Sequence, residues 1–241
     1  MALPKLEVPT YELELPLSKK YIKFRPYLVK EQKSLMMAME SSDAKTIQHN
    51  VREILNVCTL NKDVNIDELP IIDIEYYFLQ LRAKSVGEVA DSKYRCNNEV
   101  EDKVCGNIME AKIDLTQIMP VQEEYVDPEI QLSDKIMLRM KYPPFKLIGD
   151  SIEMDDITEV TFHMIANSIE YIYDGEQFHY AKEQTTEDLV DFIEQLSQEQ
   201  FEKLEKFFNS VPKLKKDLDI TCSKCGFAHH LHVEGLESFF G

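Results

Sequence analysis

The sequence predicts an α+β fold in which helical segments are joined to a strand-rich module closed by two distant cysteine pairs. Three observations predict it. Apolar residues recur at helical spacing in several stretches between Val29 and Phe208. The stretch 85–147 instead shows period-two alternation broken by prolines. Four of the five cysteines fall into two pairs, Cys96 with Cys105 and Cys222 with Cys225, and each pair ends in Cys-Gly.

The elements follow in order. Residues 6–15 alternate between Pro4 and Pro16, and Ile22 and Phe24 alternate before Pro26, which predicts two short strands turning through Leu17-Ser-Lys-Lys. Val29 to Glu40 reads as a helix with Leu35, Met36 and Met39 on its core face. Ser42-Asp43 caps a helix over 44–58, on whose apolar stripe Ile47, Val51, Ile54, Leu55 and Cys58 lie, so Cys58 is expected in the core. Asp73 is expected to cap the next helix, with Ile74, Tyr77, Phe78 and Leu81 buried. Several strands follow, two of them turning at Ser133-Asp134-Lys135. Helical spacing returns over 155–169, then a hairpin with Asp174-Gly175 as a two-residue turn. Thr185 caps a helix carrying Leu189, Phe192, Ile193 and Leu196; Ser197-Gln-Glu-Gln200 is a capping box opening another, which stops before Pro212. Lys213, Lys215 and Lys216 read as a solvated linker. Four segments result: 1–86 with short strands and helices, 87–148 with strands and the first cysteine pair, 149–215 with helices and a hairpin, and 216–241 returning to pack on 87–148.

The cysteine pairs repeat one pattern. A polar–apolar run precedes each, a glycine follows each second cysteine, a β-branched residue (Ile113, Val233) stands eight positions on, and an acid (Asp114, Glu234) stands nine on. This reads as strand, knuckle, strand, twice, and two facing knuckles make a four-cysteine zinc site of zinc-ribbon-like form. The pairs lie 222 − 96 = 126 residues apart. Closing such a loop costs on the order of 4 kcal/mol, against about 10–16 kcal/mol for a structural zinc, so the metal prevails. The expected ligands are Cys96, Cys105, Cys222 and Cys225, holding one structural zinc. His229, His230 and His232 follow closely enough for one to replace a cysteine; the plainer reading is a strand with alternating faces. Four ordinary buried thiols are one competing reading. A redox C-x-x-C at Cys222 and Cys225 is another, but it lacks a strand feeding a helix at the motif and leaves the first pair unexplained.

Composition limits function. Lys and Arg number 27 and Asp and Glu 44, a formal charge of −17 that disfavours phosphate backbones and anionic membrane surfaces and suits basic protein partners. Only seven glycines leave little room for phosphate-cradling loops. No apolar stretch approaches the roughly 20 residues of a membrane span, and the first residues carry no apolar signal core, so a cytoplasmic protein is expected. Phosphate-loop, dinucleotide, serine-hydrolase and zinc-protease motifs are all missing. No catalytic residue is expected; the function read from the residues is binding to other proteins. Two alternatives are a zinc-ribbon nucleic-acid binder, which the largely acidic or neutral knuckle tips (97–102, 223–224) oppose, and a thiol oxidoreductase using Cys222 and Cys225.

An ordered set of segments carries a resemblance: Phe24-Arg-Pro-Tyr-Leu-Val-Lys-Glu-Gln-Lys, Phe78-Leu-Gln-Leu-Arg-Ala-Lys-Ser-Val-Gly-Glu, Tyr94-Arg-Cys96 to Cys105-Gly106, Lys141-Tyr-Pro143, Ile172-Tyr-Asp-Gly175, Phe207-Phe-Asn-Ser-Val-Pro-Lys-Leu-Lys215, Cys222-Ser-Lys-Cys225-Gly, and Leu236-Glu-Ser-Phe-Phe240. Together they resemble the baseplate hub subunits, or hub assembly proteins, of T4-like contractile-tailed phages. The resemblance runs through almost the whole chain. It implies a non-enzymatic part in building or forming the hub, in the host cytoplasm during assembly or in the virion tail, with other hub and tail proteins as partners and no nucleic acid, membrane or small-molecule substrate.

Overall fold

A computed structural model describes residues 6–152, 154 and 156–235. Residues 1–5, the start of the expected helix at 155, and Leu236–Phe240 of the C-terminal motif lie outside the described residues. The architecture is α+β, with seven helices and several small antiparallel sheets among the described residues.

The strands β1 (Tyr11–Glu14) and β2 (Tyr21–Phe24) pair as a hairpin. Next come α1 (Val29–Ser41), α2 (Ala44–Cys58) and α3 (Ile71–Ser85). The apolar side of the hairpin (Leu15, Ile22, Phe24) packs on Ile54, Leu55 and Cys58 of α2 and on Tyr77 and Leu81 of α3. Cys58 is fully buried there, and burial pushes its thiol up to about 11, leaving it a packing residue. Asp43 caps α2 by accepting the Thr46 N–H at 2.9 Å.

Helix α3 is apolar nearly all round and is therefore buried on two sides. Its second face (Ile72, Tyr76, Leu79, Ala83) builds another core with Ala90, Ile113, Leu115, Leu214 and Val233. These residues come from β3 (Val89–Arg95) paired to β6 (Ile108–Asp114), from the 3-10 turn that follows β6 (Leu115–Gln117), and from the C-terminal ribbon β12 (Lys213–Thr221) and β13 (Ala228–Glu234). Between β3 and β6 lies a small hairpin, β4 (Glu99–Val100) with β5 (Lys103–Val104). The short β7 (Pro120–Val121) adds to β12.

A separate core belongs to a four-stranded antiparallel sheet. Its strands are β8 (Glu129–Gln131), β9 (Met137–Met140), β10 (Ile169–Tyr173) and β11 (Phe178–Tyr180), in the order β11-β10-β9-β8. Helix α4 (Lys146–Ile152) precedes α5 (Ile157–Asn167) in the long β9–β10 connection. Leu138, Ile169, Leu204 and Phe207 centre the core formed with α5, α6 (Thr186–Glu194) and α7 (Gln198–Asn209). Thr185 and Ser197 each complete a capping box.

Four local expectations are corrected. Pro70, not Asp73, stands at the N-cap of α3; the buried Asp73 carboxylate accepts the N–H groups of Leu17 and Ser18, both at 2.8 Å, tying the β1–β2 turn to the helix. In α1 the buried stripe runs Glu31–Leu35–Ala38, because Glu31 pairs with Arg25 and caps Leu28; Met36 and Met39 are 55% and 53% exposed. The lysines at 213, 215 and 216 are strand residues of β12, with Lys213 paired to Glu234 and Lys215 to Glu123. The β10–β11 turn is displaced by one residue: Gly175 and Glu176 span it, and the Asp174 carboxylate accepts both Glu176 and Gln177 N–H groups at 2.9 Å.

Candidate metal centre

The two knuckles are built by the same backbone bonds. In the first, the Cys96 N–H donates to the Asn107 carbonyl (2.8 Å) and the Gly106 N–H to the Cys96 carbonyl (3.0 Å). In the second, Cys222 donates to Phe227 and Gly226 to Cys222, both at 2.8 Å. Gly106 and Gly226 have φ of 65° and 75°, a conformation that a Cβ disfavours. The ladders agree as well. Arg95 faces Ile108 and Thr221 faces Ala228, so in each case the residue before the first cysteine opposes the third residue after the second. Ile113 and Val233 are buried in the same core. The knuckles differ where the first carries the β4–β5 hairpin between its cysteines.

The four sulfurs meet. The short separations run between knuckles: Cys96 Sγ to Cys225 Sγ is 3.7 Å, and Cys105 Sγ to Cys222 Sγ is 3.9 Å. All four lie within 4.8 Å of one another. A tetrahedron of Zn–S bonds of about 2.3 Å has edges of about 3.8 Å, whereas a disulfide needs about 2.05 Å. The donor set and its dimensions therefore fit a tetrahedral thiophilic cation, and the cysteines lie close enough to bind a metal ion. Cys58 stands apart in its own core.

The surroundings are polarised toward the sulfurs. The Cys222 thiol is held down at about 6, chiefly by the Cys225 backbone N–H, with help from the Lys224 N–H and the Asn107 amide. Cys96 is fully buried, and burial pushes its thiol up to about 12. A cation at the centre would remove that penalty, because it binds the deprotonated sulfur. His229 is buried, with Nε2 3.2 Å from Cys96 Sγ, yet the close-set ligand group comprises the cysteines without it. His229 is thus placed to donate an N–H to the Cys96 thiolate. Its register equivalent in the first ribbon is Met109, also buried. His230 and His232 point outward, beside Asp219 and Asp217 respectively.

Two contributing residues escaped the sequence reading. Asn107 Nδ2 donates to Cys222 Sγ at 3.5 Å and Asn98 Nδ2 to Cys225 Sγ at 3.7 Å, each reaching from the first knuckle to the second. The signal for them is a repeated Cys-x-Asn, at 96–98 and 105–107. Lys224 adds a bond in return, from Nζ to the Cys105 carbonyl at 3.3 Å. Among the described residues no helix is long and apolar enough to cross a membrane.

Comparison with known proteins places the chain. No curated protein and no solved structure matches it. The family model described as T4 bacteriophage base plate protein matches residues 8–241, so the chain belongs to this family of structural phage baseplate components.

Proposed function

We propose that the protein is a component of the baseplate hub that works by binding neighbouring hub and tail proteins, without catalysis, and that one structural zinc on Cys96, Cys105, Cys222 and Cys225 rigidifies it. The observation that carries the metal assignment is the convergence of four sulfurs from two knuckles, with inter-knuckle separations of 3.7 and 3.9 Å. A four-thiolate site has no open coordination position, so its role is architectural. It clasps β12 and β13 to β3 and β6 and thereby fixes both ribbons against α3. The hub assignment is supported by the base plate family and by the ordered hub-like segments of the sequence. A charge of −17 complements basic hub surfaces and accelerates encounter with them. The protein acts in the host cytoplasm during assembly and in the tail of the virion.

Elemental analysis of freshly purified protein tests the metal: one zinc per chain with four protected thiols is expected. Absence of zinc, with Cys222 and Cys225 cycling between dithiol and disulfide, would favour an oxidoreductase instead. Size-exclusion binding to purified hub subunits at low and high salt tests the partner class. A monomer that binds none of them at low salt defeats the hub reading and leaves the metal site standing.

A further inference from the structure

We infer that Cys105 is the reactive thiolate of the four, the position at which a peroxide modifies the site first and opens the clasp. The inference rests on the proposed metal reading and deepens it by naming the ligand through which the centre is sensitive to oxidants.

Two observations converge on Cys105. The first is access. Cys96 and Cys222, the leading cysteine of each knuckle, are buried, whereas the second cysteines, Cys105 and Cys225, are half-buried. Oxidation of a thiolate needs an approach for the reagent, which leaves these two.

The second is an asymmetry in the hydrogen-bond donors. The knuckles correspond position by position: Asn98 and Lys224 each stand two after a leading cysteine, and Asn107 and Phe227 each stand two after a second one. Asn98 Nδ2 donates to Cys225 Sγ at 3.7 Å, and Asn107 Nδ2 to Cys222 Sγ at 3.5 Å. The reverse bonds would run from position 224 to Cys105 and from position 227 to Cys96. Phe227 has no donor to offer, and His229 takes its place. The His229 Nε2 lies 3.2 Å from Cys96 Sγ, and the Phe227 ring packs T-shaped on the imidazole with centroids 4.8 Å apart. Lys224 does reach the first knuckle, but its Nζ donates to the Cys105 carbonyl at 3.3 Å and not to the sulfur. Among the described residues, Cys105 Sγ is thus the one sulfur of the four without a side-chain N–H donor. Its short contact is to Cys222 Sγ, at 3.9 Å.

An N–H bonded to a thiolate draws charge off the sulfur and makes it a weaker nucleophile. Cys225 has access but carries the Asn98 amide, and Cys96 and Cys222 have donors and are buried. Cys105 combines an undiminished charge with an approach. Its sulfur donates an electron pair to one oxygen of hydrogen peroxide; the S–O bond forms, the O–O bond breaks, and hydroxide leaves. Sulfur is oxidised by two electrons to a sulfenic acid as the peroxide is reduced. The product is no longer a thiolate ligand, so the closed four-sulfur set is lost.

The test uses the full chain, with zinc content measured before hydrogen peroxide is added. Dimedone, which caps sulfenic acids, followed by peptide mass mapping should place the first adduct on Cys105, and a chromophoric chelator should show zinc released at the same rate. Lys224 is exposed, so its replacement leaves the packing intact. Lys224→Asn supplies the amide that Asn98 supplies in the other knuckle, and should slow both readouts by about fivefold, the worth of one hydrogen bond. Lys224→Ala removes the ammonium without adding an amide and should not slow them. Asn98→Ala should bring Cys225 up to the rate of Cys105. First modification at another cysteine, modification of all four alike, or equal slowing by Lys224→Asn and Lys224→Ala overturns the inference and leaves the metal site standing. Absence of zinc before peroxide is added overturns the metal reading, and this inference with it.

Discussion

The paired ribbons and the four-stranded sheet are both antiparallel β structure, but they are held by different means. The sheet lies under α5, α6 and α7 and shares a core of twelve buried residues with them. Around the cysteines, among the described residues, only Cys96, Met109 and Cys222 form a buried cluster. The far ends of the ribbons pack into the α3 core, but the knuckle end buries little apolar surface of its own and is where a staple would act. The difference teaches where hydrophobic packing suffices and where the proposed metal would supplement it.

Removing the staple should have the largest effect. Cys222→Ser leaves three thiolates and should abolish stoichiometric zinc, withdrawing about 10 kcal/mol or more of metal-linked stabilisation. Hydrogen exchange should then show β12, β13, β3 and β6 deprotected while β9 and β10 keep their protection. Uniform loss across both regions would erase the distinction drawn here.

The reciprocal change strikes the sheet. Phe207 is buried against Leu204 and stacks on Tyr142 with centroids 5.6 Å apart. Phe207→Ala should cost about 3–5 kcal/mol in denaturant unfolding with no loss of zinc from the folded protein. A fall in zinc content would mean that the two regions form one cooperative unit.

Glu75 on α3 sharpens the comparison from the helix that carries the ribbons. Burial raises its carboxyl to about 7. Between the ordinary value of 4.5 and about 7 the folded state therefore holds a proton that the unfolded state has released. Stability falls as pH rises through that window, and the deficit is complete above it. Glu75→Gln should add about 1–3 kcal/mol at pH 8 and almost nothing at pH 4, as read from urea midpoints at the two pH values. An equal gain at both would dissociate the effect from ionisation.

The smallest effect belongs to the amides around the sulfurs. Asn107→Ala should weaken zinc binding by about tenfold in competition with a chelator, without altering the melting of the sheet.

Much of the candidate metal centre could be read in one dimension. Cys-Gly after each pair requires a left-handed residue, and the matched apolar positions at Ile113 and Val233 require two equivalent ribbons. Such features are local, so spacing reveals them. Asp73 shows the opposite case. Its place near a helix start suggests a cap, but the Leu17 and Ser18 amides that it serves lie more than fifty residues away in sequence. The methionines of α1 show it again. Several phases of that helix offer an apolar stripe, and the Arg25–Glu31 pair selects the one that leaves Met36 and Met39 in solvent.

By itself the sequence determined the alternation of helix and strand, the capping boxes at Thr185 and Ser197, and the two knuckles, because each depends on residues within a turn or two of one another. Only the tertiary structure decided that α3 is shared by two cores and that β11 ends its sheet among the described residues. Those outcomes depend on which distant surfaces exclude water together, and burial across a hundred residues leaves no periodic trace in the chain.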